Sequence, residues 1–176
     1  MWLFGTRKEA PPSAPPGCRI HAIGDVHGRD DLLRDVFARI DADLHEHRTE
    51  HAVEIHRGDY VDHGPRSRDV LDLLIRRNRT RDAVFLKGNH ESIALDFTSD
   101  PAVLRSWGRF GGGLETLITY GLRPSVNPSD PELAELSQQW CRALDGTTGL
   151  FWTLCCPVSI WATSTSCMRA FGPAFR

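Results

Sequence analysis

The chain has 176 residues, enough for one domain with a sizeable core, and its 40% apolar and 25% charged content is ordinary for a globular protein. A net charge of −2 gives no global drive towards nucleic acid or a membrane surface, and no apolar run reaches the ~20 residues that a spanning helix needs. Leu150–Ala162 is too short for a span and contains Pro157. The start, Met1-Trp2-Leu3-Phe4-Gly5, is too short for a signal-peptide core, and its basic residues Arg7 and Lys8 follow it. A cytoplasmic protein with no nucleic-acid or membrane partner is expected. Four of the five cysteines fall after residue 140 without regular spacing, so free thiols are expected in place of a disulfide or metal set.

Residues 1–17 carry Pro11-Pro12 and Pro15-Pro16 among small and polar residues and read as a flexible lead-in. Cys18 to Ile23 reads as a strand ending at Gly24-Asp25. From Asp30 to about Leu44, the residues Leu32, Leu33, Val36, Phe37 and Ile40 recur at helical spacing. Ala52–His56 is a second strand, stopping at Gly58-Asp59. Ser67 is placed to cap a helix carrying Val70, Leu71, Leu73, Leu74 and Ile75. Ala83–Leu86 is a third strand, stopping at Gly88-Asn89. Residues 91–123 are expected to be helical with a break at Gly111-Gly112-Gly113, and Asp130–Leu144 to form a further helix. This alternation predicts an α/β sheet with parallel pairs.

Three motifs end these strands: Gly24-Asp25-Val26-His27-Gly28, Gly58-Asp59-Tyr60-Val61-Asp62 and Gly88-Asn89-His90-Glu91, spaced 34 and then 30 residues apart. Strand C-termini are where open α/β sheets bind ligands. Asp25 and His27 on one tight turn aim two donors at one point, Asp59 adds a carboxylate able to bridge, and Asn89 a neutral oxygen. Mixed carboxylate, amide and imidazole donors fit Mn2+, Fe2+ or Zn2+. Two such ions ~3.5–4 Å apart acidify a bridging water and clamp phosphoryl oxygens. His90, oriented by Asp62, is the candidate general acid. Each element alone is an ordinary turn; three of them, evenly spaced at strand ends, make a site.

With these residues in place, the chain resembles the calcineurin-like metallophosphoesterases, and more narrowly the bacterial relatives of the phosphoprotein phosphatases and of the symmetrical diadenosine tetraphosphate hydrolases. The resemblance covers about residues 18–125. It implies a four-layer α/β/β/α sandwich, of which this chain would hold an incomplete, N-terminal part in residues 18–145. It also implies phosphoester hydrolysis at a dinuclear centre, with Mn2+ first in line and Fe or Zn as alternatives. Asp25, His27 and Asp59 would hold the first ion, Asp59 and Asn89 the second, and His90 paired with Asp62 would be the acid. The ending Asn-His-Glu points to phosphatases, so a phosphorylated protein is the expected substrate, with dinucleoside polyphosphates as the alternative.

The chain departs from that pattern twice. Where the family's second motif ends Asp-Arg-Gly with a phosphate-binding arginine, this chain has His63, with Arg66 and Arg68 as the nearby substitutes. The two further histidines expected for the second ion are missing: none of the eight histidines lies beyond His90, leaving His56 and His63 as the nearest stand-ins. The segment 146–176 has no Asp, Glu, Lys or His and fits neither a helical nor a strand period. We read it as an aberrant, frameshifted tail. Read from the third base of Trp161's codon, the codons allow Gly-Asp-Leu-Tyr-Phe-Val-His-Ala-Gly-Ile-Arg-Pro, a family-like strand. Little or no turnover is expected of the chain as it stands, and a decayed, non-catalytic relative that binds metal or phosphate is the competing class.

Overall fold

The computed structural model of the chain describes residues 14–144, 149, 151 and 152. Most of the 1–17 lead-in and most of the 146–176 tail, with its frameshift reading, lie outside the described residues. The elements in order are β1 (Cys18–Ile23), α1 (Asp30–Glu46), β2 (His51–His56), α2 (Ser67–Asn78), β3 (Ala83–Phe85), α3 (Asn89–Asp96), a 3-10 turn (Pro101–Val103), α4 (Leu104–Phe110), α5 (Gly113–Thr119) and α6 (Asp130–Leu144). Among the described residues no helix is long and apolar enough to cross a membrane. The strands form one parallel sheet in the order β1-β2-β3. The expected α/β character is thus present. Of the four-layer sandwich, the described residues contain this one sheet and the helices that pack on it.

Alternation along the strands divides the sheet into two faces. Ile23, Glu54, His56 and Phe85 face the helices, with His56 registered against both Ile23 and Phe85. Ile20, Val53, Ile55 and Val84 share the other face, where Val53 and Val84 form a small separate apolar cluster with Ile55 and Leu86. Most of the apolar stripes predicted for α1 and α2 is buried: Leu33, Phe37 and Ile40 on α1, and Val70, Leu71, Leu74 and Ile75 on α2. Val36 and Leu73 are half-buried, and Leu32, expected in the α1 stripe, is exposed. Arg77 locks this layer. Its guanidinium bonds Glu54 at 2.6 Å and Asp41 at 2.9 Å, and lies 4.4 Å from the centre of the Phe37 ring. Glu54 is buried, which pushes its carboxyl up, but His56, whose Nε2 lies 3.6 Å from the carboxylate, and Arg77 hold it below its ordinary pKa.

α6 spans the residues expected of it and packs on α3: the Trp140 indole donates to the Ala94 carbonyl at 2.8 Å, and the Ser137 hydroxyl to the Phe97 carbonyl at 2.8 Å. The long helical stretch expected over 91–123 is instead three short helices. It starts earlier, at Asn89, and breaks after Asp96 as well as at Gly111-Gly112. The first break is set by Asp100, whose side chain caps the 3-10 turn by accepting from the Ala102 N–H.

Candidate metal centre

The first two motif loops are bound to each other through their backbones. The Val26 and His27 N–H groups both donate to the Asp59 carbonyl at 2.9 Å, and the Gly28 N–H donates to the Tyr60 carbonyl at 2.8 Å. Such contact demands glycine: a Cβ on Gly64 would lie 2.1 Å from the His27 carbonyl oxygen, and one on Gly88 would lie 2.1 Å from the Asp59 carboxylate. The third loop is held by Glu91, which is fully buried. Its carboxylate accepts from the backbone N–H groups of Asp59 and Tyr60 at 2.8 Å and of Gly88 at 2.9 Å. Burial pushes the Glu91 carboxyl above its ordinary range, against the downward pull of these donors. Sequence reasoning used Glu91 only as part of a motif; its place at the third position of α3 was the available signal for a capping role.

The loops bring Asp25, His27 and Asp59 together, with one donor atom from each within 4.8 Å of the others. Asp25 is exposed and makes no hydrogen bond among the described residues, so both oxygens are available. His27 Nδ1 lies 2.9 Å from the Val61 carbonyl. A carbonyl only accepts, so Nδ1 carries the hydrogen and Nε2 the lone pair, the arrangement usual for a metal-binding histidine. This donor set fits a divalent ion. Asn89 is the exposed first residue of α3, beside Gly88 and ahead of His90, whose N–H points to Asp59 Oδ1 at 3.3 Å.

His90 Nδ1 lies 2.7 Å from Asp62 Oδ2. Asp62 itself is fully buried and held by three helices. The Trp107 indole of α4 donates to Oδ2 at 2.7 Å, and the Thr116 hydroxyl of α5 donates to Oδ1 at 2.5 Å. The Asp62 N–H donates to Thr116 Oγ1 at 2.9 Å and Ser67 Oγ at 3.1 Å. Ser67 therefore does not cap α2 as expected: Arg66 occupies the cap position without a side-chain bond, and the Ser67 hydroxyl turns inward because the Asp62 N–H needs a buried acceptor. Trp107 and Thr116 were missed altogether, being 45 and 54 residues from Asp62 with no local signature.

Backbone conformation marks the same place. His27, Asp59, Asp62 and His63 have φ values of 44°, 54°, 72° and 60°, and among the described residues they are the only non-glycines in the left-handed region. Such conformations cost free energy and gather where geometry serves function. Of the stand-ins considered from sequence, His56 is buried, stacked on Phe85 with ring centres 4.9 Å apart, and is far from offering a ligand. Burial, the dominant cause, lowers its pKa. Arg66 pairs with Asp30 at 3.6 Å and Arg68 lies over the Tyr120 ring, so neither is held at the metal centre. His63, by contrast, stands beside His27 and His90.

Comparison with curated proteins gave no match. The family model for calcineurin-like phosphoesterases matches residues 18–145, which takes in β1 through α6 and every residue of the centre described above. Its members carry out metal-dependent phosphoester hydrolysis, and the carboxylate–imidazole cluster is of the kind that holds divalent ions. The chain belongs to the calcineurin-like phosphoesterase family.

Proposed function

We propose that this site is built to hydrolyse phosphomonoesters of phosphorylated proteins in the cytoplasm, with Asp25, His27, Asp59 and Asn89 holding divalent ions, Mn2+ first among them. The carrying observation is the His90–Asp62 contact of 2.7 Å beside a cluster of three ligand-type side chains. Ions bound there would polarise phosphoryl oxygens and acidify a water. The chain's own residues do the rest. Asp62 takes the Nδ1–H of His90 and leaves Nε2 as the nitrogen that hands a proton to the leaving oxygen. Glu91 fixes the loop carrying His90 against the loop carrying Asp59. His63 supplies neither the permanent charge nor the two-pronged donor that an arginine gives a phosphate, so turnover by this chain is weak.

The test is an assay with Mn2+ on a phosphoserine peptide and on diadenosine tetraphosphate, using the unaltered chain and His90→Asn. Peptide hydrolysis that falls by about 10²–10⁴ in the variant supports the reading. Faster cleavage of the dinucleotide would move the substrate to nucleotides. Turnover of neither substrate would leave a non-catalytic relative.

A further inference from the structure

We propose that His27, His63 and His90 form a second, all-imidazole site for a borderline divalent ion such as Zn2+, and that it excludes an ion from the Asp25–His27–Asp59 set. The three ring centres lie 4.7, 4.9 and 5.2 Å apart, with the rings edge-on to one another at 67–79°. One nitrogen from each lies within 4.8 Å of the other two. Tetrahedral Zn2+ with Zn–N bonds of about 2.0–2.1 Å needs nitrogens roughly 3.3 Å apart. His63 is exposed and is the ring free to close that difference.

Two of the three rings already have the tautomer this role needs. His27 gives its Nδ1–H to the Val61 carbonyl and His90 gives its own to the Asp62 carboxylate. Carbonyl and carboxylate partners of this kind set the tautomer of metal-bound histidines and raise their basicity. Asp62 and His63 are consecutive left-handed residues, a costly turn that places the third imidazole next to the other two.

Exclusion follows from His27. With Nδ1 committed to Val61, its one remaining lone pair serves either donor set and not both. The carboxylate-rich set favours harder ions such as Mn2+, and the imidazole set favours Zn2+, Ni2+ or Cu2+. Ion identity therefore decides which set is filled. An ion on the imidazole set also occupies His90, the proposed proton donor. The inference goes beyond the proposed function, because binding at this site needs no turnover.

The experiment is calorimetric titration of the full chain with Zn2+ and with Mn2+, for the unaltered protein, His63→Asn and Asp25→Asn. Asparagine tolerates the left-handed backbone at position 63; His63→Arg provides the same comparison if that variant does not fold. Loss of a partner behind a ligand already costs 10–100-fold in affinity, so loss of the ligand His63 is expected to weaken Zn2+ binding at least about tenfold. Mn2+ binding should change by less than about twofold, a free-energy difference near the error of the method. Asp25→Asn should show the opposite pattern. With Co2+ in place of Zn2+, the strong visible absorption of a low-coordinate imidazole site should disappear on replacing His63. A smaller loss of Zn2+ affinity in the His63 variants, or an equal loss of Zn2+ and Mn2+ affinity in Asp25→Asn, overturns the proposal.

Discussion

Asp62 and Asp25 belong to one centre and live in opposite surroundings. Asp62 is fully buried and takes hydrogen bonds from Trp107, Thr116 and His90. Asp25 is exposed, with no hydrogen bond among the described residues. The inner half of the centre is thus a product of helix packing. The outer half offers an exposed carboxylate beside two further ligand-type side chains. Replacements in the inner half should be felt in folding, and those in the outer half in ion binding.

The sharpest break of this contrast is Asp62→Ala. It leaves the buried indole donor of Trp107 unpaired at about 1–3 kcal/mol, takes an acceptor from Thr116, whose hydroxyl then has Ser67 at 3.1 Å, and puts alanine in a left-handed position at about 1–2 kcal/mol. A loss on the order of 2–5 kcal/mol in urea unfolding is expected. If Asp62→Ala unfolds like the unaltered chain, the inner half is not held as described. Next in size is the effect of the ion. Mn2+ at about a hundred times its dissociation constant should stabilise the chain by about 2.7 kcal/mol, seen as a raised thermal midpoint. Asp25→Asn should abolish most of that gain while changing metal-free stability by less than about 0.5 kcal/mol. A large metal-free loss would place Asp25 in the inner half after all.

The smallest effect concerns acid and lies away from both halves, at His56 beneath the sheet. Burial holds its folded pKa below the ordinary 6.5. The unfolded chain therefore binds the extra proton first, and stability contributed by the neutral ring, present above pH 6.5, is lost as pH falls below it. His56→Phe, which keeps a ring against Phe85, should flatten the fall in thermal midpoint below pH 6.5. An unchanged slope would assign the acid sensitivity to other groups.

What the sequence made legible was local. Strand ends, most of the α1 and α2 stripes and the whole of α6 follow from period and punctuation within a dozen residues, although Leu32 of the α1 stripe is exposed. The ligand-type residues of the three motifs announce themselves through flanking glycines. The supports were hidden because they arrive from other helices: Ser67 looked like a cap, and Trp107 and Thr116 looked like core. His63 read as a departure from a phosphate-binding pattern, and only the paired left-handed residues Asp62 and His63 put it beside His27 and His90.

Trp107 carries one more consequence. Its indole N–H and His90 Nδ1 share a single oxygen, Asp62 Oδ2, each at 2.7 Å. Any gain or loss of charge on that imidazole alters the electric field across the indole, and indole emission shifts with the field around it. The indole is thus placed as a built-in optical reporter: an emission shift on adding Zn2+ that is lost in Trp107→Phe is the expected sign of an ion on the neighbouring imidazole, read without an added dye.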